Sequence, residues 1–148
     1  MRFEKLLESP IGPLTIASDG ESITALRFGD QTHELSSCPV LEQAAMELTE
    51  YFSGKRRVFS VPLHAQGTDF QRSVWLALQE IPYGKTASYS QIAAMIGKSA
   101  ACRAVGNANH RNPLPIFIPC HRVIGKNGTL TGYAGGIPIK EFLLRLEQ

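Results

Sequence analysis

Cys120 and His121 stand side by side in the run Ile116-Phe117-Ile118-Pro119-Cys120-His121-Arg122-Val123-Ile124. The apolar flanks read as buried extended chain. Burying a thiol, an imidazole and a guanidinium without partners costs several kcal/mol, so these three groups require specific partners. A free thiol titrates at about 8.5 and is only a few per cent thiolate at neutral pH. A neighbouring imidazole can take its proton or lower its pKa. The pair therefore points to a sulfur nucleophile, and a peptidase-type Cys/His couple is one form of that chemistry. The bland alternatives are a small buried hydrophobe for Cys120 and a hydrogen-bonded core histidine for His121. The polar load of the segment argues against both.

Several elements must position this run. Thr68 with Gln71, and Ser88 with Gln91, each form the spacing of a capping box. The first predicts a helix through Phe70, Val74, Trp75 and Leu78, ended before Ile81-Pro82-Tyr83-Gly84. The second predicts a short helix with Tyr89, Ile92, Ala93 and Ile96 on one face. Gly97-Lys98-Ser99 supplies a helix stop and a cap, and a third helix follows from about Ala100 to Asn109. Two short helices joined in this way make a helix-turn-helix. At about 100° per residue, Arg103, Asn107, His110 and Arg111 share one side of the third helix, while Ala101, Ala104, Val105 and Ala108 face inward. Gly106 lies beside the polar side, where a backbone can approach closely. Such a stripe can lie in a groove and touch phosphates, or be a plain solvated face. Pro138 to Glu147 reads as a terminal helix.

The first part of the chain differs. Phe3–Leu7, the alternating Leu14 and Ile16, and Ile23–Phe28 read as an antiparallel meander. Gln31–Pro39 reads as loop, Val40–Phe52 as a helix with Leu41, Ala44, Ala45, Leu48 and Phe52 inward, and Val58–Leu63 as one more strand. The expected fold is α+β: a small N-terminal sheet with a helix over residues 1–66, and a mostly helical domain over 67–148.

The 148 residues, 43% hydrophobic and 19% charged, exclude a disordered tail and leave enough chain for a real core. No apolar run approaches the roughly 20 residues that span a bilayer, and the start is no signal peptide, so a cytoplasmic location is expected. Three cysteines without a CxxC pair, and four histidines without ligand spacing, predict neither disulfides nor a metal. The net charge of +2 is unevenly spread. Residues 1–68 hold six Lys/Arg and nine Asp/Glu, whereas residues 69–148 hold nine Lys/Arg and four Asp/Glu. The basic second half suits a polyanion or is an ordinary surface imbalance.

Pro119-Cys120-His121-Arg122-Val123 resembles the active-site signature of the O6-alkylguanine-DNA alkyltransferases. The likeness extends in order through Gly67-Thr68-x-Phe70-Gln71, Val74-Trp75, Ile81-Pro82-Tyr83-Gly84, Ser88-Tyr89, Arg103-Ala104-Val105-Gly106 and Asn112-Pro113-Leu114-Pro115. It closes with Gly132-Tyr133-Ala134-Gly135-Gly136 and Lys140-Glu141-Phe142-Leu143-Leu144. It is strong over 67–148 and only outlined over 1–66 by the meander and Tyr51-Phe52-Ser53-Gly54.

The resemblance implies direct repair of double-stranded DNA. An O6-alkylguanine, or an O4-alkylthymine, is flipped from the stack and its alkyl group passes irreversibly to a cysteine, once per molecule. By that resemblance Cys120 is the acceptor, His121 takes its proton through a water, and Glu147 orients His121. Tyr89 donates to guanine N3 as the leaving group gains charge. Asn112 braces the turn that carries the cysteine, and Arg122, Val123, Tyr133 and Ala134 join the substrate pocket. Arg103 enters the stack as a finger, with Ser88, Ala104, Gly106 and Asn107 on the DNA face, in the minor groove. No cofactor, no metal and no obligate protein partner are implied, and a monomer is expected. Ala134 stands where many members carry Ser, Asn107 replaces the second Gly of a common pair, and His110-Arg111 adds charge. Glu147 is penultimate, so fraying would loosen its hold on His121. A non-catalytic alkyltransferase-like sensor lacks the cysteine, a regulator without chemistry leaves Pro119–Arg122 unexplained, and a hydrolase would turn over an acyl substrate.

Overall fold

Alternating apolar residues fold the N-terminal segment into three antiparallel strands, β1 (Phe3–Leu7), β2 (Leu14–Ser18) and β3 (Ile23–Phe28), in that order across the sheet. The structure is a computed structural model that describes residues 2–33 and 36–148. Central β2 is buried along its whole length. Its polar members are satisfied locally: Thr15 Oγ1 donates to Gly29 O and accepts from Gln31 N, both at 2.8 Å, and Ser18 Oγ donates to Ser22 O at 2.6 Å. Helix α1 (Pro39–Phe52) buries Leu41, Ala44, Ala45, Leu48 and Tyr51; Tyr51 is fully buried where the periodicity favoured Phe52. The loop expected over Gln31–Pro39 includes residues 34 and 35, which lie outside the described residues.

The strand expected at Val58–Leu63 does not form; the segment makes one bridge, Ile23 to Leu63. The buried Glu47 carboxylate accepts the N–H groups of Ser60 and Val61, at 2.8 and 3.3 Å, and Pro62 has no N–H. Three consecutive residues, Ser60 to Pro62, therefore have no N–H to give to a ladder.

The chain divides into two compact units, Met1–Gln66 and Gly67–Gln148. The second begins with α2 (Asp69–Leu78), closed by the Thr68–Gln71 capping box. Gly67 has a steric reason: a Cβ there would stand 2.5 Å from the Trp75 indole. That indole is buried, and its N–H donates to Ala108 O at 2.9 Å. Strand β4 (Ala87–Ser88) leads into α3 (Tyr89–Met95), capped by Ser88 with Gln91. Helix α4 (Cys102–His110) packs on α2 and α3, which gives the helix-turn-helix. Gly97 ends α3 at φ +72. Ser99 is not the next cap: Ala101 N donates to Lys98 O, and Ala101 is the N-cap, so α4 starts two residues later than expected.

The cysteine run also departs from extended chain. Cys120–Arg122 is a 3-10 turn, and only Val123–Ile124 forms a strand, β5, parallel to β4. Pro115 and Pro119 cannot donate to a ladder, and Ile116 is turned to φ +76. That region is costly for a β-branched residue. The run therefore bends instead of pairing. Helix α5 (Ile137–Leu146) ends the fold, with Pro138 in its first turn. Among the described residues, no helix is long and apolar enough to cross a membrane.

Candidate functional site

The 3-10 turn places Cys120, His121 and Arg122 in the interior together, 4%, 0% and 7% exposed. Asn112 holds the bend: its Nδ2 donates to Ile118 O at 2.8 Å and its Oδ1 accepts from Leu114 N at 2.9 Å. Asn109, which the sequence reading passed over, also reaches in, with Nδ2 at 3.5 Å from Cys120 O. Burial pushes the Cys120 thiol up to about 11. A hydrogen bond from Asn112, the nearby Lys140 charge, a backbone hydrogen bond and Tyr133 pull the other way but do not offset it. Cys120 rests as a thiol.

His121 Nε2 lies 2.7 Å from Glu147 Oε2. An ionised carboxylate only accepts, so Nε2 carries the proton and Nδ1 is the basic nitrogen. Nδ1 is buried and has no hydrogen-bond partner among the described residues. Burial holds the His121 pKa below its ordinary value, against the pull of Glu147. The resting imidazole is neutral.

Glu147 is held despite its penultimate position. It is 3% exposed, and Arg122 clamps it with two hydrogen bonds, Nε to Oε1 at 2.8 Å and Nη2 to Oε2 at 3.0 Å. Arg122 Nη1 donates to Ile81 O at 2.7 Å, and its guanidinium lies 5.7 Å from the centre of the Tyr83 ring. Tyr83 Oη donates to Leu146 O at 3.2 Å. Gly84, at φ +80, passes so close to the chain end that a Cβ would lie 2.9 Å from Glu147 O. The Ile81–Gly84 turn thus secures the last helix. Arg122, expected in the substrate pocket, thus gives three of its five N–H groups to Glu147 and Ile81.

The other expected residues fall into two groups. Tyr133 is buried near the thiol, Val123 is fully buried, and Ala134 is exposed. Val123 O accepts from Lys140 Nζ at 2.5 Å, and a carbonyl still has a second lone pair. Tyr89, the first residue of α3, is half-buried with its hydroxyl 2.5 Å from Thr131 Oγ1. On α4, Arg103, Asn107, His110 and Arg111 are exposed together, and Arg111 Nε donates to Asn107 Oδ1 at 3.3 Å. Ala104 is exposed too, not inward as its periodicity implied. Ser88 is half-buried, its hydroxyl engaged in the cap. A Cβ on Gly106 would meet the Tyr89 ring at 3.7 Å, an ordinary contact, so nothing inside the protein demands glycine there.

Lys140 is the residue for which the sequence assigned no role. It is 0% exposed, and its ammonium reaches Val123 O and, at 3.4 Å, Thr131 O. Burial lowers its pKa. A lysine at an inward position of an apolar-periodic helix was the available signal. Among the described residues, no cluster of His, Cys, Asp and Glu could hold a metal ion.

Residues 69–148 match the 6-O-methylguanine DNA methyltransferase DNA-binding domain, and residues 3–65 match the ribonuclease-like domain of the same family. The chain is 51% identical, over 99% of its length and 97% of the relative's, to a methylated-DNA–protein-cysteine methyltransferase of Methanosarcina barkeri. It is 48% identical, over 100% and 96%, to a constitutive one of Bacillus subtilis. The structure is similar to the crystal structure of Mycobacterium tuberculosis OGT in complex with DNA, with TM-score 0.92, 49% identity, and 98% and 92% of the two chains covered.

Proposed function

Because the chain belongs to the 6-O-methylguanine DNA methyltransferase family, we propose that it repairs DNA directly by moving the alkyl group of O6-alkylguanine to Cys120. The observation that carries this reading is the buried thiol beside the His121–Glu147–Arg122 network, whose contacts run from 2.7 to 3.0 Å. His121 Nδ1 takes the thiol proton by way of one water. Glu147 stabilises the imidazolium that results, and Arg122 holds Glu147 in place. The sulfur forms a bond to the alkyl carbon as that carbon's bond to O6 breaks. The electron pair passes to the guanine, where Tyr89 donates a hydrogen bond to N3. The thioether is stable, so each molecule reacts once.

The target base must leave the duplex to reach a thiol that is 4% exposed. The exposed face of α4 approaches the minor groove, where readout is degenerate. Arg103 fills the gap left by the base, and Ser88, Ala104, Gly106 and Asn107 lie along the strand. Tyr133, Ala134 and Val123 line the pocket, and the protein acts as a monomer.

The test is peptide mass spectrometry after mixing with duplex DNA that carries one O6-methylguanine. The expected result is one methyl group on the Cys120 peptide and its stoichiometric loss from the DNA. Tight lesion binding without transfer would make the protein a sensor, and the absence of both binding and transfer would refute the reading.

A further inference from the structure

The loop between β5 and α5 contributes a hydroxyl for which the proposed reaction has no role so far. Thr131 Oγ1 lies 2.5 Å from Tyr89 Oη, across 42 residues of chain. Thr131 is itself held. Its carbonyl accepts from Lys140 Nζ at 3.4 Å. Two residues before Thr131, Thr129 O accepts from Gly125 N at 2.8 Å and closes the loop. Tyr89 is fixed from the other side by α3, whose first residue it is, and its ring faces Gly106 of α4. Two independently anchored elements therefore meet at this one pair of hydroxyls.

A phenol has one proton and two lone-pair directions. Tyr89 can give its proton to a purine nitrogen only if it is not already giving it to Thr131. Thr131 has a proton of its own to give. We propose that Thr131 is a positioning residue for alkyl transfer: its hydroxyl donates to Tyr89 Oη and so aims the Tyr89 proton at N3 of the departing guanine. A hydrogen bond received at the phenol oxygen also polarises the O–H bond, which strengthens the donation as negative charge builds on the purine. Nothing is transferred to or from Thr131. The inference rests on the reading above that Tyr89 contacts the leaving base.

The experiment is a double-mutant cycle with Thr131→Val and Tyr89→Phe, read as the second-order rate of alkyl transfer from free O6-benzylguanine. The free base removes DNA bending and base flipping from the measurement. Valine keeps the shape of threonine and deletes the hydroxyl. Thr131→Val should slow transfer by about three- to tenfold, the size of one hydrogen bond. Thr131→Ser should react at close to the wild-type rate, and Thr131→Val should cost nothing further in the Tyr89→Phe background. Equal losses from Thr131→Val in both backgrounds would overturn the inference, because Thr131 would then act through packing alone. An unchanged or faster rate in Thr131→Val would also overturn it and leave Thr131 as a placeholder that substrate displaces. A wild-type rate in Tyr89→Phe would remove the premise and the inference together. Failure of the unmodified protein to alkylate Cys120 at all would instead refute the proposed function.

Discussion

At the scale of single residues, the site is poised but resting. The thiol is pushed up to about 11 by burial, and the imidazole is held below its ordinary value by the same cause. Neither group carries charge at neutral pH, which suits a protein that reacts once and must not waste its sulfur. The proton must move within the site as the reaction occurs. His121→Ala should therefore slow transfer by about 10²–10⁴-fold, the usual worth of a positioned base, in a stopped-time alkylation assay. The pH dependence has a definite sign. Neutral His121 is the competent form, and its pKa is depressed, so the rate should hold through neutral pH and fall only below the ordinary histidine range. An acid limb at or above pH 7 would contradict this assignment. Cys120 and His121 were legible from their own sequence run. Arg122 was visible too, but its partner lies 25 residues away at the chain end. No local pattern reveals that pairing.

At the scale of elements, the two capping boxes and the helix-turn-helix were readable because caps and periodicity are local. The Ile81–Gly84 turn was readable only as a turn. Its use, to hold Glu147, depends on α5 returning beside it. Gly84→Ala tests that use. The substitution meets both a positive φ and a backbone oxygen 2.9 Å away. It should cost about 1–3 kcal/mol in thermal or denaturant unfolding and slow transfer as Glu147 shifts. Full stability together with a full rate would show that the turn does not hold the chain end. Helix α4 gives a second test at this scale. Arg103 is exposed. Arg103→Ala should weaken repair of duplex DNA more than reaction with free O6-benzylguanine, compared as two rates on one preparation. Equal losses on both substrates would count against a finger that supports the flipped base.

At the scale of the whole molecule, the buried thiol links reactivity to stability. Burial raises its folded pKa to about 11, above the ordinary thiol range of about 8.5–9. A raised folded pKa contributes stability that is complete below the unfolded value and is lost as pH rises through the folded one. The protein should therefore lose about 2–3 kcal/mol between pH 9 and 11 that Cys120→Ser does not lose, in parallel denaturant titrations. Superimposable pH profiles for the two proteins would show that the thiol is not desolvated. The same scale marks the division between chain and fold. Composition, the capping boxes and the meander determined the α+β class and the helix-turn-helix, and the Pro119–Val123 run singled out Cys120 as the candidate nucleophile. They could do so because each is a pattern of neighbours within a few residues. Tertiary structure alone decided that Val58–Leu63 is no strand and that Arg122 serves Glu147. It alone brought Lys140 and Thr131 into the site. In every such case the deciding partner is distant along the chain, as Glu47 is from Ser60, Glu147 from Arg122 and Thr131 from Tyr89. A buried polar group takes whichever partner the fold brings within about 3 Å, and sequence spacing does not record that distance.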